Sequence, residues 1–452
     1  MATSHSDASA TVPVSLQSQP QQASAILSFP DELLVEIAAA AVQEERSPAD
    51  EFRAELALSH LSHRFRDIMI GAPTLWTVIK TKPLVDGSVE LLKLYLERSR
   101  ACKIWVTLHE PGATYYPHQL IAADLSHILP HVNRIWRLRI ECGSQNSMSA
   151  VLAVFRNVAA PALEHLEISH CGRWIDNLTM DIFSSGAPML TSFKLNCGAK
   201  FPVLPWTAHL THLNLCSGDF WTSNMVILRQ CLSLVHLSLN LTPIMHPVNI
   251  PSLESLTIML PNSHNNRNDH LRETFTHWDM PALSNLVIQC THGNQTWVLL
   301  NSTRNLHLSF PALTSLSFVS YAPCDCADDE DDDRVFPPTF QSISSSSLLQ
   351  LSPILSSLTL INQCFTINIL SEVLGRNSQP WPLLKTVSIH PQSRKSRDVY
   401  RTLQQVVRSR RLHHLALPLL RLSRPLFSEK YWEENGVNVE LFGPTEFLDA
   451  FD

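Results

Sequence analysis

The chain has 452 residues, of which 44% are hydrophobic and only 17% are charged, and its formal net charge is −7. This length allows a large core, and because the sequence has no basic stripe, nucleic acid is not expected as a ligand. No stretch approaches 18 consecutive apolar residues, so no membrane-spanning helix is expected.

Residues 1–25 are predicted to be a disordered tail. The segment is rich in Ser, Gln and Ala, and such a composition does not supply enough apolar surface for a core. It also lacks the apolar h-region of a signal peptide. We therefore expect a cytoplasmic or nuclear protein whose ten cysteines are mostly packed, reduced thiols.

Residues 26–80 are predicted to form a small helical domain. Ser28 and Pro30 are typical of a helix start. The apolar face of this first helix is formed by Leu33, Leu34, Ile37 and Ala41.

A second amphipathic helix is predicted after a polar stretch, Gln43–Asp50. Its apolar residues at helical spacing are Leu58, Leu61, Phe65 and Ile68. Gly71–Pro73 is expected to end this helix, and Leu75–Ile79 has the composition of a strand.

A short pattern then recurs along residues 81–423. The copies that begin with proline and approach Pro-x-Leu-x-x-Leu-x-Ile are Pro161–Ile168, Pro188–Leu195, Pro251–Ile258, Pro281–Ile288, Pro311–Phe318 and Pro382–Ile389. Shorter copies are Ile135–Ile140, Leu210–Leu215, Leu234–Leu239, Leu355–Leu360 and Leu412–Leu417. Because a short alternating apolar run is typical of a strand with one buried face, each copy predicts one strand.

The spacing of the copies indicates a solenoid. Their central apolar residues are Leu138, Leu166, Phe193, Leu213, Leu237, Leu256, Leu286, Leu316, Leu358, Val387 and Leu415. Most gaps are near the 20–29 residues of leucine-rich repeats, whose pattern is L-x-x-L-x-L-x-x-N/C-x-L. The sequence therefore predicts an α/β fold, an irregular leucine-rich-repeat solenoid with parallel strands on its concave face.

Helices are predicted between several of these strands, as an outer layer. The segments with room for two or more turns are Asp176–Ser185, Asn224–Gln230, Thr366–Gly375 and Asp398–Arg408. Residues 424–452 depart from the repeat and are predicted to close its end. The apolar residues expected in this C-terminal cap are Trp432, Val437, Val439, Leu441, Phe442, Phe447 and Phe451.

The longest gap, from Leu316 to Leu358, contains an acidic insertion at about residues 323–335. Cys324 and Cys326 lie beside seven acidic residues there, but a metal site would need further ligands of the right kind. None is evident in the sequence. We expect a solvated loop, and neither a metal nor a cofactor.

The predicted strands also suggest a binding surface. Residues immediately before and after each central apolar residue point away from the core. The charged and histidine residues at these positions, near the N-terminal end, are Arg137, Arg139, His165, Glu167, Lys194, His212 and His236. They are candidates for binding a protein partner, although a merely solvated strand face would also be polar. If they are exposed, Trp136, Trp174, Trp206 and Trp221 are candidate anchors at the rim of this surface, although core packing is the favoured interpretation for any one of them.

Catalysis is not expected. The sequence contains no G-x-S-x-G, P-loop, G-x-G-x-x-G or H-E-x-x-H motif. Its 12 glycines are few for phosphate-binding loops, and its 21 histidines do not cluster with carboxylates at ligand spacing. We predict that the protein acts by binding and is not an enzyme.

Three segments carry a resemblance to a known family. Phe29-Pro30-x-Glu32-Leu33-Leu34-x-x-Ile37, then Leu58-x-x-Leu61-Ser62-x-Arg64-Phe65-Arg66-x-Ile68, then Pro73-x-Leu75-Trp76-x-x-Ile79, together resemble an F-box. More closely, the chain resembles F-box proteins with degenerate leucine-rich repeats that are abundant in mushroom-forming (basidiomycete) fungi. The resemblance covers about residues 26–140. The chain departs from the family in having Phe29-Pro30 where Leu-Pro is usual, and in the long segment 43–50.

This resemblance implies a function. An F-box docks on the Skp-type adaptor of an SCF (Skp–cullin–F-box) ubiquitin ligase, and the repeats hold the target protein. The adaptor-facing residues it implies are Phe29, Pro30, Leu33, Leu34, Ile37, Leu58, Leu61, Phe65 and Ile68. Two alternatives stay open: residues 26–70 could be a helical cap of the first repeat, and the repeats could be an interaction scaffold unrelated to ubiquitin.

Overall fold

The structure is a computed structural model. It describes residues 29–44, 54–81, 88–109, 125–170, 179, 181–197, 205–215, 227–240, 248–260, 278–290, 310–320, 352–361, 370, 374, 381–390, 396–423, 432 and 437–441. The chain divides into two compact units, Met1–Trp76 and Thr77–Asp452. None of the described helices is long and apolar enough to cross a membrane.

The first unit is helical over its described residues. It contains α1 (Asp31–Glu44), α2 (Ala54–Ser59), α3 (His63–Gly71) and a 3₁₀ turn at Pro73–Trp76. The indole nitrogen of Trp76 donates to the Met69 carbonyl at 2.7 Å.

The single helix predicted across Leu58–Ile68 is wrong, because the chain breaks at Ser62. This residue is extended, and its hydroxyl oxygen accepts a hydrogen bond from the Phe65 amide at 3.2 Å. A serine that caps a helix in this way satisfies one of its free N–H groups. The same sequence that looks continuous in its apolar spacing therefore forms two helices.

The second unit is an α/β domain with a large parallel sheet. Its 14 strands follow the order of the chain, apart from two short strands that form a separate pair. The first seven are β1 (Val78–Thr81), β2 (Ile104–His109), β3 (Ile135–Cys142), β4 (His165–His170), β5 (Ser192–Asn196), β6 (His212–Leu215) and β7 (His236–Asn240). The next seven are β9 (Ser255–Leu260), β11 (Asn285–Cys290), β12 (Ser315–Val319), β13 (Ser357–Ile361), β14 (Thr386–His390), β15 (Leu419–Leu422) and β16 (Val439–Leu441).

The remaining regular elements lie between these strands. The separate strand pair is β8 (Val248–Asn249) and β10 (Trp278–Asp279). The longer helices are α4 (Ser88–Arg98), α5 (Gln145–Phe155) and α6 (Ser396–Leu412), with 3₁₀ segments at Leu129–Arg134 and Pro205–His209. Residues 125–128 and 227–230 form shorter helical segments. The α/β class with parallel strands is therefore confirmed, and the sequential strand order is compatible with a solenoid.

The recurring sequence pattern explains the regular register of the sheet. Its proline occupies the second position of a β-turn, for example in Ile250–Leu253, where the Leu253 amide donates to the Ile250 carbonyl at 3.2 Å. Proline suits that position because its φ angle is already fixed. The central residues then align across neighbouring strands, as Leu256 does with Leu286. All of the central residues from Leu138 to Val387 are buried.

The strand predicted at Leu412–Leu417 is wrong. Helix α6 continues to Leu412, and His414 then takes a positive φ of 54°. The strand begins only at Leu419, where Leu420 pairs with Val387. Leu420, and not Leu415, therefore occupies the central buried position of this last repeat.

Other local predictions have mixed outcomes. Helix α6 contains the predicted Asp398–Arg408, and residues 227–230 are helical within the predicted Asn224–Gln230. In the predicted Asp176–Ser185, the described residues 181–185 are not helical. Of Thr366–Gly375, only Leu370 and Leu374 are described, and both are helical.

The ends of the sheet also differ in part from the predictions. The strand predicted at Leu75–Ile79 begins only at Val78, because a 3₁₀ turn occupies the preceding residues. At the C-terminal end, Val439–Leu441 pairs with β15, and Trp432 and Val437 are buried. Phe442, Phe447 and Phe451 lie outside the described residues, as do the acidic insertion and residues 1–25.

Candidate interaction surfaces

Helix α1 presents an apolar stripe to solvent. Phe29, Leu33 and Ile37 are 40%, 50% and 44% exposed. Leu33 and Ile37 are four residues apart, which places them on one side of the helix, and Phe29 lies two residues before the helix begins. Leu34 and Ala38, on another side, are fully buried and hold the helix in its unit. An exposed row of large apolar residues is unusual for a helix with no partner.

The structure divides the nine predicted adaptor-facing residues into two groups. Those exposed at the surface are Phe29, Pro30, Leu33, Ile37 and Leu61, while Leu58 is half-buried. Those inside the helical unit are Leu34, Phe65 and Ile68. The second group can stabilise the helices, but in this conformation only the first can meet a partner directly.

The start of α1 is fixed by Arg64 from α3. Its guanidinium donates to the Phe29 carbonyl at 2.6 Å and to the Asp31 carboxylate at 3.0 Å. Asp31 and Glu32 are exposed in the first turn of α1. Arg64 therefore positions the apolar stripe at its N-terminal end, beside two carboxylates.

A second surface lies on the face of the sheet opposite the central leucines. Cross-strand pairing places Arg137, His165, Ser192, His212 and His236 in one row. Arg139, Glu167, Lys194, Asn214 and Ser238 form the next row. The sheet thus brings together the seven residues that the sequence indicated as partner-binding candidates.

The second row contains a network of ion pairs. Arg139 pairs with Glu141 on its own strand, with Nε 2.7 Å from Oε1, and its Nε lies 3.7 Å from Oε2 of Glu167. Lys194 approaches the same Glu167 at 3.5 Å. The Glu141 carboxylate also contacts Nδ1 of His109 at 2.7 Å. Within this network, most of the charges are already matched.

The first row contains an aromatic and cationic cluster. The Arg137 guanidinium lies over the Trp105 ring, 4.2 Å from its centroid. Between β2 and β3 the register skips Trp136, which forms a β-bulge. The Trp136 ring meets His165 edge-on at 5.5 Å. A bulge commonly redirects a side chain toward a functional surface, and sequence periodicity gives no signal for it.

Burial disfavours the charged forms of this row. It lowers the pKa of Arg137, partly offset by attraction to Glu167. Burial also lowers the pKa of His165, and the nearby Arg137 charge lowers it further. Farther along, the rings of His212 and His236 stack at 4.4 Å, and burial followed by the His236 charge lowers the pKa of His212.

This sheet face does not stay open along its whole length. From β11 to β14 most of the residues that point away from the central leucines are buried, namely Val287, Gln289, Ser317, Val319, Thr359, Ile361 and Ser388. The outward residues at the strand starts, and His390, are partly exposed. Three of them, Val287, Val319 and Ile361, form an apolar cluster. Val287, Ser317, Thr359 and Ser388, which follow the central residues of their strands, are therefore covered and cannot meet a partner in this conformation. From β3 to β7, the residues of the two rows, Arg137 to His236 and Arg139 to Ser238, are all partly or fully exposed.

The other sequence candidates are placed as follows. Trp206 is buried and packs edge-on against Phe193 at 5.4 Å, so it is not a rim anchor, whereas Trp136 is partly exposed. Trp174 and Trp221 lie outside the described residues. Buried thiols are found at Cys142, Cys197 and Cys231. Burial raises the pKa of Cys231 to about 12, which keeps this thiol protonated.

In the part of the chain that the structure describes, no group of three or more His, Cys, Asp or Glu residues is placed to hold a metal ion.

No protein-family model matches this sequence, and a search of curated proteins finds no significant match.

Proposed function

We propose that the protein recruits a target protein to an SCF-type ubiquitin ligase. The helical unit is an F-box that docks on a Skp-type adaptor and, through it, on a cullin. The sheet unit is a leucine-rich-repeat solenoid whose open face binds the target. A protein with this function needs no cofactor and works in the cytoplasm or the nucleus.

The main observation that supports this proposal is the exposed apolar stripe on α1. Phe29, Leu33 and Ile37 stay in water while Leu34 holds the helix in its unit. Each of these side chains is 40–50% exposed, so a docking partner that covers it can recover roughly half of the about 1.5–3 kcal/mol that full burial provides. A helix that presents Leu33 and Ile37 one turn apart, with Phe29 just before its first residue, suits docking into an apolar groove of another protein.

The proposal is tested by a pull-down with recombinant Skp-type adaptor. The double variant Leu33→Asp/Ile37→Asp places two charges on the stripe without touching the buried side. We expect it to lose adaptor binding while its circular dichroism spectrum stays unchanged. Leu232→Asp is the matched control, because Leu232 is also exposed and lies in the other unit.

The alternative is an interaction scaffold unrelated to ubiquitin. In this alternative the same open sheet face binds a partner, and the exposed apolar stripe on α1 has no role in binding. If wild-type protein is folded and still does not retain the adaptor, or if the stripe variant binds it as tightly as wild type, the scaffold becomes the better account.

A further inference from the structure

The cation at Arg137 is unusual because it has no partner of opposite charge in contact. Its guanidinium stacks on Trp105 at 4.2 Å but makes no hydrogen bond or ion pair with any residue that the structure describes. Arg139, two residues along the same strand, is by contrast paired with both Glu141 and Glu167. A half-buried guanidinium has several N–H donors in its plane, and unmet donors are costly away from water.

A second unmet donor lies beside it. The indole Nε1 of Trp105 is buried and has no hydrogen-bond partner in the described part of the chain. Native structures rarely leave such groups unpaired without a reason, which can be a missing ligand. Trp105 and Arg137 are direct partners across β2 and β3. The two side chains therefore lie next to each other on neighbouring strands, with the Trp105 Nε1 covered and the Arg137 guanidinium half-buried.

We propose that Arg137 and Trp105 form a receptor for a single carboxylate, supplied by an Asp or Glu side chain of the target protein. The Trp105 ring packs against the guanidinium and restricts its movement. The planar fork of N–H groups of an arginine can bind a carboxylate with two parallel hydrogen bonds. Trp136 and His165 form an aromatic wall beside it. Arginine and tryptophan are also the residues most enriched at interface hot spots.

The surrounding charges favour a carboxylate over a phosphate. Glu167 interacts with Arg137, and Glu141 lies in the adjoining network. A phosphate group would bring up to two negative charges close to these carboxylates, whereas an Asp or Glu brings one. The pairing of Arg139 and Lys194 with Glu167 also leaves no second free cation among these network residues. The site is therefore matched to one negative charge.

This inference rests on the proposed function in taking the open sheet face as the surface that binds the target. It is tested with pools of random decapeptides that differ only at a fixed central residue, which is Glu, Gln, Ala or phosphoserine. The full-length protein is titrated with each fluorescent pool. We expect the Glu pool to bind about tenfold or more tightly than the Gln pool, as loss of a charge-assisted pair implies.

Two variants of Arg137 and one control variant test whether the preference for the Glu pool arises at Arg137. Arg137→Gln should abolish the difference between the Glu and Gln pools, and Arg137→Lys should retain only part of it, because lysine keeps the charge but not the planar fork. Arg156→Gln is the control for overall charge, since Arg156 pairs with Asp181 away from the sheet. Its Glu preference should equal that of wild type. Circular dichroism and melting temperature check that each variant is folded.

Three results would overturn the proposal. They are equal binding of the Glu and Gln pools to folded wild type, a Glu preference that survives Arg137→Gln, and tighter binding of the phosphoserine pool, which would indicate a phosphopeptide receptor. Adaptor binding is measured on the same samples. A Glu preference without adaptor binding would leave the carboxylate receptor standing and remove only the ubiquitin-ligase role.

Discussion

Truncating one central leucine gives a direct test of the sheet. Leu256 is fully buried and lies between Leu237 and Leu286 on the neighbouring strands. Leu256→Ala removes about three methyl or methylene groups, each contributing about 0.8 kcal/mol when buried, and leaves a cavity. We expect the free energy of unfolding to fall by about 2–5 kcal/mol.

The control is Ser238→Ala, which changes the open face of the adjacent strand. Ser238 pairs with Thr257, the residue after Leu256, and is only partly buried. Its replacement should change the free energy of unfolding by no more than about 0.5 kcal/mol. Urea denaturation followed by far-ultraviolet circular dichroism measures both variants. Equal losses would refute the assignment of the two faces.

Three further predictions concern the sheet unit. Ser317→Asp should destabilise the fold by several kcal/mol while Ser238→Asp should be tolerated, because only Ser317 is buried; urea denaturation compares them. Deleting residues 325–333 should leave the melting temperature nearly unchanged, because loop-closure entropy varies slowly with length. Since the folded-state pKa of His212 is lowered from 6.5, the unfolded state binds more protons, so stability should fall as pH drops below about 6.5. His212→Gln should make this fall shallower in thermal melts.

The regular part of the fold was predictable because its signals are local. Pro251, Leu253, Leu256 and Ile258 lie within eight residues and specify a turn followed by a half-buried strand. Repetition of that signal fixes the register of neighbouring strands. No knowledge of distant contacts is needed for either step.

The strand pattern gave a wrong prediction at Leu412–Leu417, where it overlaps with the apolar spacing of a helix. Leu412, Leu415 and Leu417 match the strand pattern, but the preceding residues also form an amphipathic helix. Its side chains at Leu403, Val407 and Arg410 are buried. The Arg410 guanidinium then donates to the Ala416 carbonyl at 2.6 Å and fixes the chain after the helix. A short apolar pattern is compatible with both a strand and the end of a helix, so it cannot distinguish between them.

The candidate sites depended on contacts that are distant in sequence. The sequence selected Arg137 from its position in the repeat, but its stacking on Trp105 follows from the bulge at Trp136. The burial of Val319 and Ile361, on what was expected to be an open face, likewise has no local signal. On α1, the adjacent Leu33 and Leu34 look equivalent in the sequence. Packing within the helical unit decides that Leu34 is buried and Leu33 is exposed.

The adaptor-docking claim is tested most directly by hydrogen–deuterium exchange of the full-length protein with and without recombinant Skp-type adaptor. At about 10 μM of each protein, we expect slower exchange in α1 and in the turn around Leu61, where the exposed apolar side chains lie. Exchange in β11–β14 should not change. Folded protein whose α1 exchanges at the same rate with and without adaptor would contradict the account.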